Sequence, residues 1–258
     1  MTPSETALEA ALAIIGRLPG AAVHVAPDTT WVAGGRPLEG LNHVLRATLG
    51  GSDGTIEARI DEIDDALRER GSVPATWWIG PSTAPTDLAD RLARRGFVET
   101  DPEYGMVLDL PVAPARREPG DAEVVADDAG LDAFLSVMAG AYGWPGDGRS
   151  TAWADLYRQP ESGAERVIRH VVVREDGRPV ACASLFAGDG HAFVTNVGTI
   201  PEARGHGFGT QATLAVLDIA ASRGAGQATL TASKMGRGVY ARIGFRDDAL
   251  LARWISPA

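Results

Sequence analysis

Apolar residues recur along this chain at two spacings, one helical and one alternating. Ile56, Ile60, Ile63 and Leu67 fall at helical spacing and predict an amphipathic helix over 53–70. Thr2-Pro3-Ser4-Glu5 has the form of a capping box with proline at the first helical position. The helix it opens is expected to run to about Arg17, with Leu8, Leu12, Ile14 and Ile15 on its apolar side. Strands are expected at 22–26, 30–33 and 76–79, and 41–49 reads as helix or strand. Thr86 is placed to cap a helix over 87–95, and Gly96-Phe97 leads into a strand pair ending at 106–110.

The stretch that follows holds Pro111, Pro114, Arg116, Arg117, Pro119 and Gly120, a linker composition. It divides the chain into 1–112, a linker at 113–120, and 121–258. The second part opens with a strand at 123–126 and a helix over 131–142, with Leu131, Phe134, Leu135 and Met138 on one face. A loop at 143–148 and a short helix at 151–158 come next. Strands at 169–174 and 180–186 form a hairpin around Asp176-Gly177. A buried strand over 191–198, a helix to Arg223, a strand at 227–231, a short helix at 234–242 and a strand at 248–255 complete the chain. The fold class is therefore α/β, an α+β arrangement on a mixed sheet.

The chemistry concentrates between the buried strand and the helix after it, in Val197-Gly198-Thr199-Ile200-Pro201-Glu202-Ala203-Arg204-Gly205-His206-Gly207-Phe208-Gly209-Thr210. A helix start leaves N–H groups without partners and carries the positive end of the helix dipole. Glycines at 205, 207 and 209 let the backbone approach a ligand and adopt positive φ, and Arg204 adds a fixed positive charge. Such a turn is a cradle for a pyrophosphate. No Gly-Lys-Ser/Thr follows, so it is not a P-loop, which argues against a nucleotide-binding enzyme such as a kinase. The spacing also lacks the G-x-G-x-x-G step of a dinucleotide fold. The remaining alternative is a turn that binds nothing.

Arg204-x-x-Gly207-x-Gly209 resembles the phosphate turn of the GNAT superfamily of acyl-CoA-dependent N-acyltransferases, and the element order of 122–258 resembles that family's domain. The resemblance implies that Val197, Gly198 and Thr199 pair through their main chain with the pantetheine arm. It implies that Arg204, Gly205, His206, Gly207, Phe208, Gly209 and Thr210 hold the pyrophosphate. His206 is expected to act there through its backbone N–H. The family pattern Asn-x-x-Ala-x-x-Leu-Tyr-x-x-x-Gly-Phe meets Ser233, Tyr240 and Gly244-Phe245 here. Tyr240 thereby becomes the expected proton donor to the departing thiolate, and Ser233 stands where the family has asparagine. Gly236 and Gly238 weaken that helix by about 1 kcal/mol each.

Residues 1–110 end like the second part. Ala75-Thr76-Trp77, a helix and Gly96-Phe97 correspond to Ala228-Thr229-Leu230, a helix and Gly244-Phe245. A degenerate GNAT-like first half, without a phosphate turn and without bound coenzyme, is the expectation.

Acyl transfer from a thioester to an amine requires a held donor, a stabilised oxyanion and routes for protons. The general base is not readable. Phe193, Val194, Thr195 and Asn196 on the central strand are not ionisable, Asp189 and His191 lie at its far end, and His43 beside Asn42 and Glu39 is a remote candidate. Tyr142, Trp144 and Trp153 are placed to line an acceptor pocket or to pack. The expected co-substrate is acetyl-CoA, with no metal, and the expected acceptor is a small-molecule or peptide primary amine. A GNAT fold that binds acyl-CoA or scaffolds a partner without turnover is the alternative.

Composition narrows this only slightly. The net charge of −10 argues against nucleic acid and suits a cationic amine. No run approaches the roughly 20 apolar residues of a membrane span. The single cysteine, Cys182, rules out an internal disulfide framework. Glu5 and Glu9 without early Lys or Arg argue against a signal peptide, so the protein is expected to be cytoplasmic.

Overall fold

The computed structural model describes residues 1–112, 122–144, 149–158, 168–188 and 191–258. The expected linker at 113–120, most of the loop at 143–148 and Asp189 lie outside the described residues. In chain order the elements are α1 (Pro3–Leu12), a 3-10 turn (Ala13–Arg17), β1 (Ala22–Val25), β2 (Thr30–Ala33), a 3-10 turn (Glu39–Leu41), β3 (His43–Leu45), α2 (Asp53–Glu69), β4 (Thr76–Ile79), α3 (Leu88–Arg94) and β5 (Val98–Asp109). They continue with β6 (Ala122–Val124), α4 (Asp128–Tyr142), α5 (Arg149–Tyr157), β7 (Ile168–Glu175), β8 (Arg178–Gly188), β9 (His191–Thr199), a 3-10 turn (Pro201–Ala203), α6 (Phe208–Ser222), β10 (Gln227–Ala232), α7 (Lys234–Ile243) and β11 (Arg246–Ile255). Among the described residues no helix is long and apolar enough to cross a membrane.

Most expected elements are present, with local differences. The first helix carries the capping box, Thr2 accepting from Glu5 N–H and Glu5 accepting from Thr2 N–H, but it tightens to 3-10 geometry at Ala13. The cap of α3 is Asp87 rather than Thr86, and Asp87 makes no side-chain cap bond. The region 41–49 is a short strand, and the strand pair expected before 110 is the single strand β5.

The chain forms two compact units. The first comprises Met1–Gly105, Ala232–Lys234 and Asp247–Ala258; the second comprises Met106–Thr231 and Met235–Arg246. These limits do not coincide with the expected divisions at 112 and 121. The reason is long-range pairing: Ala252 to Ile255 of β11 lie antiparallel against Ile79 to Thr76 of β4, which places the last strand in the first unit.

In the first unit β1 pairs antiparallel with β2, β2 antiparallel with β3, and β3 parallel with β4. The apolar face of α2 (Ile56, Ile60, Ile63, Leu67) packs with Trp77, Leu88, Leu92 and Phe97. In the second unit β6, β7, β8 and β9 pair antiparallel in that order, and β9 runs parallel to β10. Phe134 and Met138 of α4 pack with Val172, Val180 and Cys182 in its core.

The two units repeat one register. His43 stands opposite Thr76 and Val44 opposite Trp77; Phe193 stands opposite Thr229 and Val194 opposite Leu230. The match of Thr76 with Thr229 is the one expected from the sequence ends of the two halves. In each unit the second residue after the last parallel pair, Arg46 or Asn196, has φ of +52°.

His43, the remote candidate base, is a packing residue. Trp78 Nε1 donates to its Nδ1 at 3.2 Å, so its Nε2–H donates to the Gly40 carbonyl at 3.1 Å. Burial, helped by the nearby Arg253 charge, pulls its pKa down to about 4. The unfolded ring takes up its proton near pH 6.5, above the folded value. This contribution to stability is therefore complete above about pH 6.5 and is lost as pH falls toward 4. Calorimetry across pH 8 to 4 is expected to show a melting temperature that falls below about pH 6.5. In His43→Gln that acid limb is expected to be shallower.

Candidate functional site

The site lies in the second unit, where β9 leaves β10. Parallel pairing ends at Val194–Leu230, so Thr195 to Thr199 have no β10 residue opposite them. At the same place the pairing with β8 slips: Ser184 faces Thr195 and Cys182 faces Gly198, so Asn196 and Val197 together oppose Ala183. This is a β-bulge, in which an extra residue leaves the hydrogen-bond ladder. The bulge residue is Asn196, in the left-handed region that asparagine tolerates better than most residues.

Side chains satisfy the carbonyls of the bulge. Cys182 Sγ donates to Asn196 O at 3.4 Å, and Tyr142 Oη donates to Val197 O at 3.1 Å. Ile200 N–H bonds Val180 O, and the ladder alternates, so Gly198 also faces β8. In a trans peptide the carbonyl points opposite to the following N–H. The carbonyls of Val197 and Thr199 therefore point to the edge that β10 has vacated.

Beyond the strand, the 3-10 turn leads into the glycine cradle. Gly205 and Gly207 have φ of +85° and +86°, and a Cβ on either would meet nothing within 4 Å. Gly207 is the N-cap of α6 and brings no side chain to the first N–H groups of the helix. Those donors, at Phe208, Gly209 and Thr210, thus have no side-chain cap and lie at the positive end of the α6 dipole. Gly209 has a different use: a Cβ there would stand 3.0 Å from Thr199 Oγ1, so it seats α6 close on β9. His206 is exposed, with Nδ1 3.4 Å from Ala203 O inside the turn. Phe208 is half-buried against the unit's core. The Arg204 guanidinium is a brace: Nε donates to Thr199 O at 3.2 Å and Nη2 to Ala141 O at 3.0 Å. It therefore ties the end of α4 to the vacated edge. Gly198 permits that approach, since a Cβ there would lie 2.8 Å from Ala141 Cβ.

The first unit shows what the vacated edge accepts. Its counterparts of Val197, Gly198 and Thr199 are Ala47, Thr48 and Leu49, counted from the shared register. There Ala84 N–H donates to Ala47 O at 2.9 Å, and Leu49 N–H donates to Ala84 O at 2.8 Å. One peptide of the chain fills the slot. It comes from Gly80 to Asp87, between β4 and α3, whereas Ser233 alone separates β10 from α7. Between β10 and α7 the second half has no such segment.

Residues 136–245 match the acetyltransferase (GNAT) family. This segment is a GNAT domain. No curated protein matches the chain. Among solved structures, a GCN5-related N-acetyltransferase from Kribbella flavida has a TM-score of 0.74 at 20% identity, covering 99% of this chain and 95% of that one. Another from Sphaerobacter thermophilus has a TM-score of 0.63 at 15% identity, covering 91% and 79%. A tandem GNAT protein of the clavulanic acid biosynthesis pathway has a TM-score of 0.62 at 15% identity, covering 97% and 88%. At these identities the likeness is one of fold. It extends over both halves, as the shared register requires.

In the GNAT domain Tyr240 of α7 is 9% exposed, with its ring edge-on to Phe245 at 5.9 Å. Ser233 is exposed, immediately before α7. Of the aromatics, Tyr142 is 49% exposed and stacks on Trp144, while Trp153 stacks on Tyr157 and both pack on the core. Reading the sequence missed Tyr157, His170 and Ser184, which meet under the bulge. Asn196 Nδ2 donates to Tyr157 Oη at 2.6 Å and to Ser184 Oγ at 3.0 Å, and Ser184 Oγ is 2.7 Å from His170 Nδ1. Burial, with the Arg169 charge, pulls the His170 pKa down to about 3, and burial raises that of Tyr157. The group is therefore neutral near pH 7. The one sequence signal was an asparagine inside a buried strand.

Gly198→Ala forces its new Cβ into Ala141 and is expected to cost about 1–3 kcal/mol in denaturant unfolding. Gly54→Ala in α2, where a Cβ meets nothing within 4 Å, is the control and should lose none.

Proposed function

We propose that this protein is an N-acetyltransferase that moves an acetyl group from acetyl-CoA to a primary amine by direct attack. The observation that carries the reading is the slot on β9. In the first unit an amide of the chain bonds Ala47 O and Leu49 N–H. The equivalent groups in the GNAT domain, Thr199 N–H and Val197 O, which accepts from Tyr142 Oη and keeps a second lone pair, suit one amide of an extended ligand that ends in a diphosphate. Pantetheine supplies such an amide and coenzyme A such a diphosphate. The α6 N-terminus at Gly207 lies at the end of the same strand, where the diphosphate would sit.

When bound, acetyl-CoA supplies an activated thioester. The residues of the chain do the rest. Phe208, Gly209 and Thr210 hold the diphosphate through their N–H groups, and Gly205 and Gly207 keep the approach open. Ser233 is assigned to the coenzyme as well. The main chain of the bulge at Asn196–Val197 faces the acyl carbonyl, and Tyr240 returns a proton to the leaving sulfur. The acceptor is a small-molecule or peptide amine, which the net charge of −10 would attract. The first unit is a degenerate GNAT-like half that takes no coenzyme, because Ala84 occupies its slot. The protein is assigned to the cytoplasm, with neither nucleic acid nor a membrane among its partners.

One observation favours a second reading, an acyl-CoA binder without turnover. Among Phe193, Val194, Thr195 and Asn196 no side chain is ionisable, and His43 is buried and engaged. Thiol release from acetyl-CoA in the presence of a panel of amines separates the two: release supports transfer, and binding without release with every amine supports the binder.

Titration calorimetry is expected to show binding of acetyl-CoA and CoA, and none of ATP. Gly207→Glu, which puts a carboxylate at the α6 N-terminus, is expected to abolish that binding while the protein stays folded by circular dichroism. Unchanged affinity would remove the cradle from the coenzyme site. Tyr240→Phe is expected to lower kcat by about 10- to 100-fold with little change in acetyl-CoA affinity. Equal rates would take Tyr240 out of the reaction.

A further inference from the structure

The polar group beneath the bulge has no part in the reading so far, and it sits where an apolar core would suffice. Tyr157, His170, Ser184 and Asn196 come from α5, β7, β8 and β9. His170 is packed against Phe134 and Tyr157, each ring centroid 4.3 Å away, and is 8% exposed; Ser184 is fully buried. Placing polar groups in such a core costs free energy unless every one is bonded. Here they are bonded, and the bonds converge on the residue that makes the bulge.

We propose that Asn196 is the positioning residue of the acyl site: its side-chain amide, anchored on Tyr157 and on the Ser184–His170 pair, fixes the bulge and with it the stretch of main chain that the coenzyme reading sets against the thioester carbonyl. The inference rests on the coenzyme reading above. Both Asn196 amide hydrogens are committed, one to Tyr157 Oη and one to Ser184 Oγ. With Ser184 passing its own hydrogen to neutral His170 Nδ1, the chain of bonds has one direction. The φ and ψ of Asn196 are held by groups from three other elements.

The first unit contains the same device in other residues. Arg46, at the matching position and the same φ, donates from Nη2 to Thr30 Oγ1 at 3.0 Å, and Thr30 Oγ1 donates to Glu9 at 2.5 Å. Thr30 faces Leu45 as Ser184 faces Thr195, so the two hydroxyls are equivalent. A lock of this type is therefore how the fold holds a left-handed residue at the end of its central strand. In the first unit the lock is an ion pair, Arg46 with Glu9, under a slot filled by Ala84. In the GNAT domain every member is neutral. Neutral members put no fixed charge beneath a carbonyl that gains negative charge during transfer.

The test is binding of [1-13C]acetyl-CoA and of CoA to the full-length protein, read by calorimetry and by the infrared band of the labelled carbonyl. The unmodified protein is expected to prefer acetyl-CoA over CoA and to shift the carbonyl band to lower frequency. Asn196→Gly keeps the left-handed backbone available but removes the lock. It is expected to lose about fivefold of the acetyl preference, one hydrogen bond's worth, and most of the band shift, with CoA affinity unchanged. Tyr157→Phe and Ser184→Ala leave the β9 main chain untouched and are expected to give intermediate shifts. They keep the test decisive if Asn196→Gly does not fold. Thr30→Val breaks the equivalent link in the first unit and is expected to leave the band where it is. An unmodified band shift in Asn196→Gly, or in both single-bond variants, overturns the proposal, as does CoA binding by the unmodified protein without any shift. Failure of the unmodified protein to bind CoA at all overturns the coenzyme reading itself, a separate result.

Discussion

Much of the GNAT domain follows from one constraint: two parallel strands that part after two residue pairs. Once β9 has left β10, its main chain has lost its partner on that side, and backbone polar groups away from water need partners. The structure meets that need in several ways at once. Tyr142 takes the Val197 carbonyl, Arg204 takes the Thr199 carbonyl, and the bulge turns the strand at Asn196. The edge left over is the slot that a ligand amide can enter. It begins beyond the bulge, and its far end leads toward the α6 N-terminus.

The same constraint is met twice in this chain and settled differently. In the first unit, eight residues between β4 and α3 let Ala84 return to the vacated edge and bond it. In the second half, β10 passes to α7 through Ser233 alone, and nothing local can return. A loop-length difference thus separates a half whose strand–helix loop satisfies its own edge from one whose corresponding loop does not reach it.

Glycines and polar side chains divide the work around the edge. Gly205 and Gly207 supply positive φ and open space, while Gly198 and Gly209 supply close approach, of α4 and of α6 to β9. Arg204 was expected to add charge to the cradle, yet its guanidinium donates to the Thr199 and Ala141 carbonyls, so its first effect is to fasten α4 to the strand end.

By itself the sequence determined what depends on neighbouring residues. The 3.6-residue period fixed α2, the capping box fixed the start of α1, and glycines at 205, 207 and 209 marked a helix start open to an anion. Even the repeat was legible, because Thr76 and Thr229 sit in equivalent strand–helix–Gly-Phe contexts. What the tertiary structure alone decided depends on pairing between distant segments. That β11 pairs with β4, that Ala84 fills one slot, that β9 bulges at Asn196, and that Tyr157, Ser184 and His170 meet beneath it are all contacts between segments that are not neighbours in sequence. A local pattern encodes which φ and which face a residue prefers; it does not encode which strand edge remains unpaired, because that is fixed only when every other strand has found its partner.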